Sequence, residues 1–312
     1  MSPNITLIKN AAHDTAEPIL SVLIPYFRDN PAELLEQLII DSTGLNFVEI
    51  CLYDDGTANT EINTALIDIA KSAPLPVTLL FAENNTGRSS ARNHLTTNAR
   101  AGFVLFLDAD MRPDSPHFLK TYLDIIKNDT ADIIFGGFTV ASRADTPDQE
   151  VHRALSEISD CLPLEHRIAT GPQHVATSNL CVRKSVLEAE DFDSNFKGWG
   201  WEDSEWAARV AKKYRLLHIE NPALHLGLEN TDTLLDRFKN SAQNYLRFTT
   251  RHPELARSLK LYSVAKTLGR IPGQKFMRPV LKFTVKTQHI PMRFRLTALR
   301  LWRASWYAEA LS

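Results

Sequence analysis

Two carboxylates, Asp108 and Asp110, stand two positions apart at the end of the apolar run FVLFLDAD. At that spacing both can face one hard cation. Oxygen ligation suits Mg²⁺ or Mn²⁺, which keep open positions for substrate phosphates. Left alone at a sheet edge, the two charges repel, and a divalent ion relieves that repulsion. A second acidic pair, Glu202 and Asp203, follows FKGWGW and opens a helical pattern, where the helix dipole favours carboxylates. Gly198 and Gly200 permit a tight or left-handed backbone, while Trp199 and Trp201 supply rigid flat surfaces. An aromatic plane to stack on, beside a carboxylate that accepts a proton, is what a sugar hydroxyl needs. The same residues also fit a plain helix cap beside two core tryptophans. The turns YDDG (Tyr53–Gly56) and ENNTGRSSARN (Glu83–Asn93), with His225 in NPALHLGLEN, complete the candidate set. The other nine histidines read as structural.

These groups acquire meaning from the elements that carry them. ILSVLIPYF, FVEICLYDD, LPVTLLFAE and FVLFLDAD read as buried strands, and ADIIFGGF as a fifth. Between them lie helical patterns: PAELLEQLIIDS, TEINTALIDIAKSA, GRSSARNHLTTNA and HFLKTYLDIIKND. Strand–helix alternation with runs apolar on both faces predicts a parallel sheet covered by helices on each side. Right-handed crossovers then gather the strand C-termini, and the polar turns that follow them, along one edge where ligands bind. Beyond Gly137 the alternation is lost. A helix is expected around 148–159, a strand leading into a short helix in VATSNLCVRKSVL, and a helix from Glu202.

Composition sets limits. The 312 residues are 44% hydrophobic and 23% charged, enough for a sizeable core and unlike a disordered chain or a small disulfide scaffold. Three scattered cysteines without a CxxC pair argue against a zinc knuckle or disulfide framework and for a reducing compartment. The start of the chain has no secretory pattern, and no window is apolar enough to span a membrane; the expectation is a cytoplasmic protein. The net charge of −2 hides a polarity: residues 251–312 hold 13 Lys or Arg against two acids. That tail fits helices packing on an acidic body, and equally a patch against the anionic inner face of the cytoplasmic membrane, with Phe276, Phe283, Phe294, Trp302 and Trp306 interleaved among its Lys and Arg residues. On a helix from Pro291, Leu299, Trp302, Trp306 and Ala310 share one side, with Arg295 intruding. No nucleic-acid motif accompanies the charge. No GxGxxG follows a strand and no Walker loop is present, which weighs against a dehydrogenase or P-loop enzyme.

The ordered set SVLIPYF, YDDGT, NNTGRSSARN, FLDAD and GWGWED resembles the family 2 glycosyltransferases of the GT-A fold. Its later portion is similar to the galactosyltransferase-type and bacterial polysaccharide-synthesising members that carry GWGxED. The resemblance implies an α/β GT-A fold: a mostly parallel, Rossmann-like sheet flanked by helices, with a C-terminal helical basic extension. It divides the chain into an N-terminal extension (1–18), a nucleotide-sugar-binding half (19–137), an acceptor-binding and catalytic half (138–230) and the extension (231–312). It implies an inverting, metal-dependent transfer from a UDP-sugar donor to a saccharide or lipid-linked saccharide acceptor, with Mn²⁺ or Mg²⁺. Pro25, Tyr26, Asp55, Asn85, Gly87, Arg88, Arg92 and Asp108 match nucleotide-sugar-binding positions. Asp55 would read the uracil N3–H, with Asp54 its neighbour. Asp108, Asp110 and His225 match metal-binding positions, Asp203 the catalytic base, and Glu202, Trp199 and Trp201 the acceptor site. Two other readings stay open: a non-catalytic carbohydrate- or nucleotide-binding protein on the same fold, and a sugar nucleotidyltransferase. The second typically needs a glycine-rich basic loop after strand one, which SVLIPYFRDNP lacks.

Overall fold

A computed structural model describes residues 4–15, 17–45 and 47–312. The strands are β1 Ile5–Lys9, β2 Leu20–Tyr26, β3 Val48–Asp54, β4 Val77–Ala82, β5 Phe103–Leu107, β6 Met111–Pro113, β7 Ile133–Phe135, β8 Phe138–Val140, β9 Asn179–Arg183, β10 Leu216–His218 and β11 Ala223–His225. The large sheet has the order β1-β4-β3-β2-β5-β9-β7-β10, and a small one has the order β6-β11-β8. The chain divides into two compact units. One comprises 1–139, 163–195 and 206–226; the other comprises 140–162, 196–205 and 227–312.

In the first unit β4, β3, β2 and β5 run parallel, as the strand–helix alternation predicts. Successive residues of each strand feed opposite faces. Val22, Ile24, Ile50, Leu52, Leu105 and Leu107 enter one buried cluster. Leu23, Cys51, Tyr53, Val104 and Phe106 enter the other. Both faces are therefore dry, which a parallel sheet requires. Helix Thr60–Ser72 begins at Asn59, whose side chain accepts from the amides of Glu61 (3.0 Å) and Ile62 (3.2 Å). Two features depart from simple alternation. The N-terminal extension supplies β1, antiparallel on β4. β9 inserts between β5 and β7, antiparallel to both, so the run ADIIFGGF does not extend the parallel set beside β5. Burial pushes the His218 imidazole down to about 4, so it is neutral at pH 7.

The second unit is helical. Helices Glu150–Ser159, Thr231–Asn240, Arg278–Lys286 and Met292–Ala310 close on Leu155, Leu234, Phe238, Leu281, Val285, Leu299 and Trp302. The face that the sequence offers to a membrane is turned inward. Leu299 and Trp302 are buried, and the Trp302 indole donates to the Leu235 carbonyl at 3.0 Å. Arg295, the intruding charge, is buried too and donates through Nε to the Val285 carbonyl at 2.8 Å. Helical periodicity shows which residues share a side, not which side has a neighbour. Among the described residues no helix is long and apolar enough to cross a membrane.

Candidate functional site

In the first unit the ends of β2, β3 and β5 share one edge, and the polar turns meet there. The register pairs Pro25 with Tyr53 and Tyr26 with Asp54. One residue on, the Asp55 amide donates to the Tyr26 carbonyl at 2.9 Å. Burial, reinforced by the Asp54 charge, pushes the Tyr26 phenol well above its usual range and keeps it protonated. Asp54 accepts from the Thr57 amide at 2.7 Å, and the Thr57 hydroxyl accepts from the Arg28 amide at 2.7 Å. These bonds tie the turn after β2 to the turn after β3. They also place Phe27, an exposed aromatic ring with the Arg28 guanidinium 4.7 Å above it, on the same edge. Phe27 is a candidate that the sequence reading passed over. Its signal was a large aromatic directly after the apolar run that ends in Pro25 and Tyr26.

Asp55 organises the neighbouring loop. Its Oδ1 accepts from the Thr86 amide (2.7 Å) and hydroxyl (2.8 Å), and its Oδ2 from the Gly87 amide (2.9 Å). A carboxylate offers about four acceptor sites, so one further N–H can still be accommodated. Asn85 returns a bond from Nδ2 to the Asp55 carbonyl at 3.0 Å. Gly56 makes this approach possible. It has φ +85°, and a Cβ there would lie 2.5 Å from the Asn85 nitrogen and 2.6 Å from the Asn84 carbonyl carbon. Both are backbone atoms that cannot swing away.

Gly87, also left-handed at φ 92°, leads into helix Arg88–Asn98. Arg88 and Arg92 lie one turn apart on it and face the end of β5. Each donates through Nη2 to Asp108, at 3.2 and 3.3 Å. Arg92 is 1% exposed, and a guanidinium so enclosed needs an anion beside it. The structure thus relieves the repulsion between Asp108 and Asp110 with arginine. Asp110 turns elsewhere. β6 pairs with β11 so that Met111 opposes His225, and the Leu226 amide donates to the Asp110 carbonyl at 2.8 Å. His225 Nε2 and Asp110 Oδ2 are then 3.3 Å apart. Burial disfavours the ionised Asp110. The His225 hydrogen bond and charge, with Arg88 behind them, outweigh it and hold the carboxyl below the usual range. No group of three or more His, Cys, Asp or Glu poised to hold a cation occurs among the described residues. The pair Asp110–His225 nevertheless offers one oxygen and one nitrogen donor side by side, a set that a borderline divalent ion accepts.

In the second unit the segment before the Glu202–Asp203 pair is a constrained turn. Gly198, Trp201 and Gly200 have φ of 72°, 76° and 92°. For tryptophan this left-handed conformation is an outlier, and the surroundings must hold it. Trp201 donates from Nε1 to the Tyr307 hydroxyl at 2.9 Å, and Arg303 Nε donates to the same oxygen at 3.1 Å. With two donors already on its oxygen, Tyr307 gives its own proton to Ser241 (2.6 Å), which passes one to the Phe238 carbonyl (3.0 Å). The Trp201 ring lies 4.7 Å from Tyr245 and 4.8 Å from Phe248, inside an aromatic cluster. Asn244 clamps the turn by donating to the carbonyls of Lys197 (2.9 Å) and Gly200 (3.0 Å). Trp199 stands 5.7 Å from Phe238, with the Arg237 guanidinium 5.8 Å from its ring. Helix Glu202–Val210 then opens with Glu202, which is buried, and Asp203, which is partly exposed. Asn244 and Tyr307, which no motif singles out, hold the turn from which both acids project.

Residues 21–189 match the family described as Glycosyl transferase family 2. Among curated proteins, the uncharacterized protein y4gI of Sinorhizobium fredii is 30% identical over 129 residues. That stretch is 38% of this chain and 14% of the relative, so the match spans a small part of y4gI. Among solved structures, the mannosyltransferase PcManGT from Pyrobaculum calidifontis, in complex with GDP-Man and Mn²⁺, superposes with a TM-score of 0.58 at 16% identity, covering 95% of this chain and 88% of that one. TarS 1-349 of S. aureus gives 0.54 at 15% identity, covering 94% and 90%. At such identities the likeness is one of fold.

Proposed function

The chain belongs to glycosyl transferase family 2 and is a glycosyltransferase of GT-A fold; from that premise we propose that it moves a sugar from a UDP-sugar to a hydroxyl of a saccharide acceptor, free or lipid-linked, with inversion at the anomeric carbon. Its place would be bacterial polysaccharide assembly, in the cytoplasm against the inner face of the membrane, reached through residues 251–312. The observation that carries the donor assignment is Asp55: a buried carboxylate, oriented by three hydrogen bonds at the end of β3, with acceptor capacity left for one N–H. The uracil N3–H is a donor of that kind. Phe27 supplies an exposed ring on the same edge against which a base can stack.

Asp110 and His225, with Asp108 next to them, would hold a divalent cation, Mn²⁺ or Mg²⁺, whose charge offsets the negative charge gathering on the departing diphosphate. Arg88, partly exposed beside Asp108, adds a second positive group there. Asp203 takes the proton of the acceptor hydroxyl as that oxygen attacks the anomeric carbon, a role typically worth about 10²–10⁴-fold. Attack from the side opposite the diphosphate gives a β-linkage from an α-configured donor. Glu202 and Trp199 position the acceptor. Trp201 acts at one remove, because its ring is committed to Tyr245, Phe248 and Tyr307. The run GWGWED supports a galactosyltransferase-type acceptor site.

A donor screen tests the proposal. UDP release is followed across UDP-Glc, UDP-Gal, UDP-GlcNAc, UDP-GalNAc and UDP-GlcA with Mn²⁺ and saccharide acceptors. One donor is expected to support acceptor-dependent release that EDTA abolishes and added Mn²⁺ restores. Binding of UDP-sugars without release on any acceptor would favour the non-catalytic reading instead.

A further inference from the structure

The basic segment of the second unit does not bury everything apolar that it carries. Between Glu254 and Glu309 the chain has twelve Lys and Arg residues and no acid. Inside that span four apolar side chains of 271–283 point outward: Ile271 is 51% exposed, Phe276 78%, Val280 66% and Phe283 67%. Phe276, Val280 and Phe283 recur at spacings of four and three, a single stripe along the 3-10 turn Gln274–Met277 and helix Arg278–Lys286. The other side of the same helix, Leu281 and Val285, is already in the core with Leu299 and Trp302. One short helix thus has an inner apolar face and an outer one. Isolated exposed apolar residues are ordinary, but four within thirteen positions are a patch.

The charges carried by this stretch are basic, and part of them is answered from within the unit. Lys282 and Lys286 reach Asp232, at 3.5 and 2.6 Å, and Arg278 meets Glu309 at 2.5 Å. Arg270 and Lys275, both exposed, make no ion pair among the described residues. We infer that this face docks on an anionic lipid bilayer, with Phe276, Val280 and Phe283 entering the acyl boundary and Arg270 and Lys275 meeting lipid phosphates. A protein groove would accept the apolar stripe without calling for the exposed cations Arg270 and Lys275 beside it. A polyanion such as nucleic acid would use the charge and leave the aliphatic Ile271 and Val280 in water. A bilayer with anionic headgroups uses both. The inference gives the membrane contact of the proposed function a defined surface and rests on that part of the reading alone, not on the transfer chemistry.

Vesicle sedimentation of the full chain tests it. Vesicles of phosphatidylcholine with phosphatidylglycerol are expected to carry the protein down. Phosphatidylcholine alone should bind at least about tenfold more weakly. The double variant Phe276→Ser/Phe283→Ser should lose at least about tenfold on the anionic vesicles, since two large apolar side chains no longer leave water. Arg270→Gln/Lys275→Gln, which touches only exposed polar side chains, should lose roughly twentyfold. Circular dichroism and UDP affinity of both variants should match the parent, which separates loss of the surface from loss of the donor site. The inference is overturned if the parent chain stays in the supernatant, or if both variants bind as it does. It is equally overturned if light scattering shows a dimer that Phe276→Ser/Phe283→Ser makes monomeric, because a second copy would then cover the patch.

Discussion

Asp203→Asn is expected to lower kcat for sugar transfer by about 10²–10⁴-fold while UDP binds as tightly as before. The substitution keeps the shape of the side chain and removes its charge and its capacity to take a proton. On the barrier that loss is about 3–5 kcal/mol. The competing effect is structural: Asp203 sits in the first turn of helix Glu202–Val210, and losing a carboxylate near a helix N-terminus costs about 0.3–1 kcal/mol. The smaller figure cannot account for the larger, so thermal stability should barely move while turnover collapses. The acidic limb of the pH–rate profile, which reports the ionisation of the base, should vanish from the residual activity. Transfer at the parental rate would remove Asp203 from the mechanism. A matched loss of UDP affinity would mean that the substitution had disturbed the fold.

Gly56→Ala separates the donor edge from its neighbours in the first unit. The added Cβ meets the Asn85 nitrogen at 2.5 Å and the Asn84 carbonyl carbon at 2.6 Å, and φ +85° is costly for any L side chain. The loop 84–87 must withdraw, and Asp55 then loses the amides of Thr86 and Gly87. Conformational strain of about 1–2 kcal/mol and two hydrogen bonds of about 1 kcal/mol each give a stability loss of roughly 3–4 kcal/mol. UDP affinity should fall at least about tenfold, as the carboxylate proposed to read the base is no longer held. Gly44→Ala is the matched control. That glycine has nearly the same φ, +81°, but nothing within 4 Å of its Cβ position, so only the strain is incurred. Chemical denaturation of both variants distinguishes the terms. Equal losses would mean that the close approach of the two loops contributes nothing.

Much of the donor edge was legible in the sequence because its signals are local. FVLFLDAD announces a buried strand and the acids that leave it; YDDG announces a turn after another. Parallel neighbours must then bring those turns to one edge. Pairing order was not legible, since an apolar run reads the same whichever strand lies beside it. Hence β9, between β5 and β7, and β1, on the outer edge of β4, come from the coordinates alone. The partners of Asp108 were half legible. Arg88 and Arg92, four apart on one helix, had to share a face, but nothing in that spacing names the carboxylate at the strand end as their partner. The turn 198–201 was read as permissive because of its glycines. That Trp201 itself adopts the left-handed conformation depends on Tyr307 and Asn244, far along the chain. In the tail the sequence offered Phe276, Phe283 and Trp302 alike as apolar residues among the charges, and periodicity put Leu299 and Trp302 on a common side; only the fold decides that Leu299 and Trp302 are buried while Phe276 and Phe283 are left outside.

The account stands or falls on where donor and cation meet. Crystals grown with UDP and Mn²⁺, with diffraction recorded at the manganese absorption edge, put that question directly. The expected map has an anomalous peak about 2.2 Å from an Asp110 carboxylate oxygen and from His225 Nε2. A UDP phosphate oxygen should lie against the same ion, and the uracil N3–H should point at Asp55. UDP seated at the ends of β2 and β3 with no manganese beside Asp110 would contradict the metal assignment. UDP bound away from Asp55 would contradict the account as a whole.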